Sequence, residues 1–139
     1  MSTETWNPNA DISSDVSANT YRLEIDFLKR IINESTIDEP SHFKNLLTEN
    51  EIKKHRDIMF LTKEVWFETL EHFTDDELIG LIRFFTLAEV HFSHWHAEDK
   101  SPVISIAKLL RKRKNSLSKD LLIWIKSNNK NKFLPFGPL

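Results

Sequence analysis

The residues best able to do chemistry lie together at 91–99, where the chain reads His-Phe-Ser-His-Trp-His-Ala-Glu-Asp. On a helix, His91, His94 and Glu98 are spaced at i, i+3 and i+7 and lie close to one stripe. Two imidazoles and a carboxylate can hold zinc with an open fourth position, which is the arrangement of catalytic zinc sites. A simpler interpretation makes these residues charge partners of two helix ends, because imidazolium favours a helix C-terminus and a carboxylate the next N-terminus. The spacing permits coordination but does not select for it, so we predict no metal and keep these three residues as the candidate ligands.

The rest of the sequence lacks the signatures of common enzyme classes. There is no cysteine, which removes disulfides, thiolate metal sites and cysteine nucleophiles together. The two glycines, Gly80 and Gly137, are too far apart to form a glycine-rich phosphate loop, and the pattern His-Glu-x-x-His is absent. We therefore predict no catalytic residue, no cofactor and a protein that is not an enzyme.

The charged residues are sorted along the chain, although the formal net charge is only −2. Residues 1–99 carry 20 acidic and 9 basic side chains, whereas residues 100–139 carry 10 basic side chains and a single acid, Asp120. Such asymmetry is typical of a chain that binds a polyanion, or whose basic part meets an acidic surface within one subunit or across a dimer.

The basic side chains cluster at the end of one predicted helix and continue into the next. At this density they can neutralise several phosphates of a nucleic acid. Cations in the last turn of a helix also complement its dipole, however, and are often merely solvated. The candidates for binding a partner or phosphate are Lys108, Arg111, Lys112, Arg113, Lys114, Lys119 and Lys126.

Helices must position these residues, because apolar residues recur at helical spacing and turn glycines are scarce. Thr48-Glu49-Asn50-Glu51 and Thr74-Asp75-Asp76-Glu77 are capping boxes. The first introduces a long amphipathic segment, and the second a helix over 75–96 that is apolar nearly all round. Ser101-Pro102 starts the next helix, and Ser118 can cap the last one.

The predicted fold is an all-α, single-domain bundle of five or six helices with the 75–96 helix at its centre. Residues 1–19 are polar and predicted to be a disordered tail, and residues 20–132 form the helical domain. Residues 133–139 form an apolar C-terminal segment that must be covered. We expect it to fold back on the domain; the alternative is a docking tail that inserts into a partner or a second subunit. Its docking residues are Phe133, Leu134, Phe136 and Leu139.

Together these features predict a non-enzymatic helical interaction module, an adaptor or regulatory protein that binds another protein or forms a homodimer. The alternative is a nucleic-acid-binding protein that uses the basic C-terminal helices, and the third candidate is a metal-dependent enzyme at the histidine cluster. The chain starts without the pattern of a secretory signal, and no stretch approaches the roughly 20 apolar residues of a membrane span. We therefore expect a cytoplasmic protein with no membrane partner.

Overall fold

The computed structural model describes residues 25–33 and 46–137, and within these ranges all regular structure is helical. This confirms the predicted all-α fold. The predicted disordered tail, residues 1–19, lies outside the described residues. The six described helices are α1 over residues 25–33, α2 over Glu49–His55, α3 over Lys63–Thr69, α4 over Asp75–His91, α5 over Pro102–Lys112 and α6 over Lys119–Asn128. Two short 3₁₀ segments, Arg56–Phe60 and Glu98–Lys100, connect them.

Side-chain caps fix the starts of these helices, and all four predicted caps are confirmed. The Thr48 hydroxyl accepts the backbone N–H of Glu51 at 3.2 Å, and the Glu51 carboxylate accepts the N–H of Thr48 at 3.1 Å. Thr74 and Glu77 repeat this reciprocal pair at the start of α4. Ser101 and Ser118 each accept one backbone N–H of the first turn that follows them. Caps of this kind each contribute about 1 kcal/mol to helix stability.

The amphipathic segment after Thr48 is not one continuous helix. It is divided into α2, the 3₁₀ segment and α3, and α3 begins at a further cap in which Thr62 accepts the N–H of Val65 at 3.3 Å. Met59 and Trp66, which lie seven positions apart, both reach the core although they belong to separate elements. Thr62 marks the boundary between the 3₁₀ segment and α3.

Helix α4 is the centre of the bundle and packs against α5 and α6. Its buried side chains include the ring pair Phe84 and Phe85 and the core residues Leu78, Leu81 and Ile82. Burying one side chain of this size contributes about 1.5–3 kcal/mol, so this helix supplies much of the core stabilisation. Helix α3 packs on α5, and α1 meets α4 where Ile32 faces Gly80.

The central helix ends at His91 and not at residue 96 as predicted. Phe92 is extended, and its N–H closes the last turn on the carbonyl of Ala88 at 2.9 Å. The turn lets Phe92 and Trp95 both pack into the core, with ring centroids 5.3 Å apart. The Trp95 indole N–H donates to the carbonyl of Ile52 at 2.9 Å, which ties the turn to α2. These tertiary contacts outweigh the local tendency to continue the helix.

Candidate functional site

The histidine-rich segment does not form the helical stripe that made it a candidate metal centre. His91 is half-buried at the end of α4, His94 is exposed in a left-handed conformation with φ 66°, and Glu98 is exposed at the start of a 3₁₀ turn with φ 52°. The predicted i, i+3, i+7 arrangement is therefore not formed, because the helix that it requires ends at His91. In the part of the chain that the structure describes, no group of three or more His, Cys, Asp or Glu side chains could hold a metal ion.

A buried carboxylate beside this segment is the most unusual polar group in the core. Glu89 lies in the last turns of α4 and is 6% exposed. One of its oxygens accepts the Ser101 hydroxyl at 2.5 Å, and the other accepts the N–H of Ala97 at 3.3 Å and the Asn131 amide at 3.4 Å. Glu89 thus joins the end of α4, the 92–101 turn and the segment after α6.

Burial sets the ionisation of this carboxylate. Loss of hydration raises the pKa of Glu89, while the hydrogen bonds from Ser101, Ala97 and Asn131 oppose the shift. The charge of His96 also acts to lower the pKa of Glu89, as the smallest of these effects. Among the described residues, no lysine or arginine forms an ion pair with Glu89, so its direct polar contacts are the three hydrogen-bond donors.

Two asparagines hold the chain after α6 against α4: Asn131 donates to the Glu89 carboxylate, and Asn129 contacts Thr86. The Asn129 amide donates to the carbonyl of Thr86 at 3.0 Å, and its oxygen accepts the N–H of Asn131 at 2.8 Å. The Asn131 amide in turn donates to the carbonyl of Glu98 at 3.0 Å. The chain after α6 is therefore held against α4 by polar contacts between residues that lie about forty positions apart in sequence.

A groove opens where α4 and α6 end, and we call it the C-terminal groove. Its volume is about 710 Å³, within the range of small-molecule sites. Glu89 is the buried acid among the lining residues, and we call it the base of the groove; Val90 and Phe133 are the apolar lining residues. The other lining residues are polar or charged: His96, Glu98, Ser127, Asn128, Asn129, Lys130, Asn131 and Lys132. The sequence indicates this site only through Glu89, an acidic residue within the apolar part of α4.

Arg113, one of the predicted phosphate contacts, instead donates to acceptors within the described chain. Its guanidinium donates to the carbonyls of Leu70 at 3.3 Å, Glu71 at 3.0 Å and Phe73 at 2.7 Å, and to the Asp75 carboxylate at 3.0 Å. These acceptors form the turn between α3 and α4. Arg113 therefore acts as a clamp on that turn and is removed from the candidate phosphate contacts.

The adjacent cations lie over aromatic rings. The Arg111 guanidinium is 5.3 Å from the ring centroid of Phe136, and the Lys112 ammonium is 5.6 Å from that of Phe67. Such contacts contribute about 0.5–1 kcal/mol at exposed sites and leave the charge accessible. Lys114 is exposed and left-handed with φ 63°, and Lys108 is half-buried on α5.

On α6 the charged residues surround an exposed apolar side chain. Ile123 is 55% exposed, and Lys119 and Lys126, one turn before and after it, are also exposed. We call Lys119, Ile123 and Lys126 the α6 face. Neither lysine has a hydrogen-bond or ion-pair partner among the described residues. The opposite side of α6 is buried through Leu121 and Ile125.

The C-terminal segment folds back on the domain as far as the structure describes it. Leu134 is 2% exposed in the core, and Pro135 and Gly137 are buried. Phe133 is half-buried against the core, whereas Phe136 is exposed beneath Arg111. Leu139 lies outside the described residues. The segment thus presents one docking residue, Phe136, on the surface of the described chain.

None of the helices in the described ranges has the length and apolar character required to cross a bilayer. Comparison with known proteins gives no relationship: no protein family, no curated protein and no solved structure matches this chain. Function must therefore be inferred from the geometry of its own residues.

Proposed function

We propose that the chain is a non-enzymatic helical interaction module that binds another protein, or a second copy of itself, through the α6 face. The observation that carries the proposal is the exposure of Ile123 between two lysines that have no partner in the described structure. A large aliphatic side chain at the centre of a cationic surface favours a contact that buries the apolar group and pairs the charges around it.

Charge complementarity defines the partner surface. The two lysines require carboxylates on the partner, placed about one helical turn to either side of an apolar contact. The acidic part of this chain offers such a surface, because Glu64, Glu68 and Glu71 on and after α3 are all exposed. A second copy of the chain therefore supplies exposed carboxylates for the two lysines, as does an unrelated protein with an acidic helix.

Nucleic-acid binding is the second candidate function. It is favoured by Lys114, Lys119 and Lys126, which are exposed and have no acceptor among the described residues. It is weakened by Arg113, whose donors are used by the turn between α3 and α4. Asp120 also adds a negative charge next to Lys119 on the same helix. Phosphate contacts alone would give sequence-independent binding with a steep salt dependence.

Site-specific photo-crosslinking separates these functions, because it captures whichever molecule contacts the substituted position. A benzophenone amino acid replaces Ile123 in one full-length variant and Lys53, an exposed residue of α2, in a control variant. Both are irradiated in cells that naturally produce the chain, and the adducts are analysed by mass spectrometry with and without nuclease treatment.

The proposal predicts a discrete protein adduct at position 123 that resists nuclease and is absent at position 53. A dimer of the chain and an adduct with one other protein both satisfy it. A nuclease-sensitive adduct at position 123 supports the second candidate instead. Equal or absent protein adducts at the two positions contradict the proposal.

A further inference from the structure

The base of the C-terminal groove is acidic. It contains the Glu89 carboxylate, which has no lysine or arginine partner among the described residues. The groove also lies where α4 ends at His91 and α6 ends at Asn128, and the carbonyl ends of helices carry partial negative charge. A positive group that reaches this base would gain a partly desolvated carboxylate partner.

The rim of the same groove is positive. Lys130 and Lys132, which we call the rim, both line the groove and are exposed, as is the lining residue His96. The Lys132 ammonium is 5.3 Å from the ring centroid of Phe133, which also lines the groove. An anionic group at the rim would therefore be attracted by two lysines, whereas the same group at the base would meet Glu89.

Two apolar residues complete the lining of the groove. Val90 is 52% exposed, although most of its neighbours on α4 are buried, and it lines the groove together with Phe133. A short aliphatic chain placed there removes apolar surface from water, at about 25 cal/mol for each Å² covered.

We propose that the C-terminal groove binds a small zwitterion of the chemical class of a free aliphatic amino acid. Its ammonium group points inward to the Glu89 carboxylate, its carboxylate points outward to Lys130 and Lys132, and its side chain lies on Val90 and Phe133. An amine alone leaves the rim lysines unpaired, and a carboxylate alone lacks a partner for Glu89. The proposal is independent of the α6 face.

Three related probes test this arrangement: L-norvaline, n-butylamine and pentanoate share one aliphatic chain and differ in which charged groups they carry. Each is titrated into the ¹⁵N-labelled full-length chain at pH 7 and followed by amide chemical shifts. Norvaline is expected to shift the resonances of residues around 89–98 and 127–133 saturably. Butylamine and pentanoate are each expected to bind at least about tenfold more weakly, which corresponds to the loss of about 1.4 kcal/mol.

Variants assign the two charged contacts. Glu89→Gln keeps the shape and the acceptor oxygen for Ala97 but removes the charge, and it should weaken norvaline binding about tenfold. The pair Lys130→Ala and Lys132→Ala should weaken norvaline binding but leave butylamine binding unchanged or tighter. A matched pair on α6, Lys119→Ala and Lys126→Ala, should leave both unchanged.

Several results overturn the proposal. Shifts that grow linearly without saturation at millimolar norvaline would show that the groove is only solvated. If pentanoate binds as tightly as norvaline, the ligand's ammonium group does not pair with Glu89. An unchanged affinity of Glu89→Gln for norvaline would show the same. If Glu89→Gln fails to fold, the two lysine double variants still test the proposal. If both have the same effect on norvaline binding, the ligand carboxylate does not bind at the rim of this groove.

Discussion

Replacing Arg113 by methionine should destabilise the protein strongly, although Arg113 is only one of four consecutive cations at 111–114. The substitution keeps most of the side-chain volume and removes the guanidinium. It therefore deletes the hydrogen bonds to the carbonyls of Leu70, Glu71 and Phe73 and the contact with Asp75. Those carbonyls belong to the turn that sets the path from α3 into the central helix.

The expected loss of unfolding free energy follows from the charge of the Arg113 guanidinium and from its exposure to water. A hydrogen bond from a charged donor contributes about 1.5–3 kcal/mol when both partners are desolvated. The Arg113 side chain is 25% exposed, so water can replace part of what the substitution removes. We expect a loss of about 2–3 kcal/mol in the free energy of unfolding, assigned to the three carbonyl contacts. For a domain of this size the melting temperature should fall by roughly 8–12 °C.

Urea and thermal unfolding, followed by circular dichroism, measure this loss. Arg111→Met is the matched control, because within the described ranges its guanidinium lies over the Phe136 ring and has no hydrogen bond or ion pair, and it should cost less than about 1 kcal/mol. Arg113→Lys should recover only part of the loss, since an ammonium cannot reproduce the planar fork. Most of the loss should persist at pH 3, because carbonyl acceptors do not titrate. Equal stabilities of Arg113→Met and Arg111→Met would show that Arg113 does not clamp the turn.

Three further predictions test other parts of the fold. Burial raises the pKa of Glu89, so the native state retains a proton that the unfolded chain has lost. The contribution of Glu89 to the unfolding free energy should therefore fall as pH rises from the ordinary glutamate pKa through the raised native value. In urea melts at increasing pH, the stability of the natural chain should decline over that range relative to that of Glu89→Gln. Gly80→Ala should raise stability by about 0.5–1 kcal/mol, because the added Cβ meets Ile32 at an ordinary contact distance of 3.6 Å; a destabilised variant contradicts this. Leu134→Ala should cost about 2–4 kcal/mol in thermal melts, whereas an unchanged melting temperature would mean that the C-terminal segment is not part of the core.

The helix starts could be predicted because a cap joins residues only two or three positions apart. Thr48, Thr74, Ser101 and Ser118 each bond to the backbone that immediately follows, so the sequence contains both partners side by side. The end of α4 could not be predicted in the same way. It depends on Phe92 and Trp95 reaching the core, and on a carbonyl of α2 more than forty residues earlier.

The candidate sites show the same division between local and distant partners. A run of four cations cannot reveal which one bends back to a turn about forty residues earlier, so the sequence alone groups Arg113 with its neighbours. Glu89 carries a recognisable signal, since an acid inside an apolar helix needs a compensating environment. The donors that supply this environment come from Ala97, Ser101 and Asn131, and only the folded chain brings them together.

The role of the α6 face is decided by the yield of the crosslink at position 123 in two charge-reversed backgrounds. Lys119→Glu with Lys126→Glu reverses the lysines beside Ile123, and Lys53→Glu with Lys100→Glu makes the same change in net charge on other elements. We expect the first pair to abolish the protein adduct and the second pair to leave it intact. An adduct that survives the first pair, or is lost equally in both, would show that the α6 face does not select the partner.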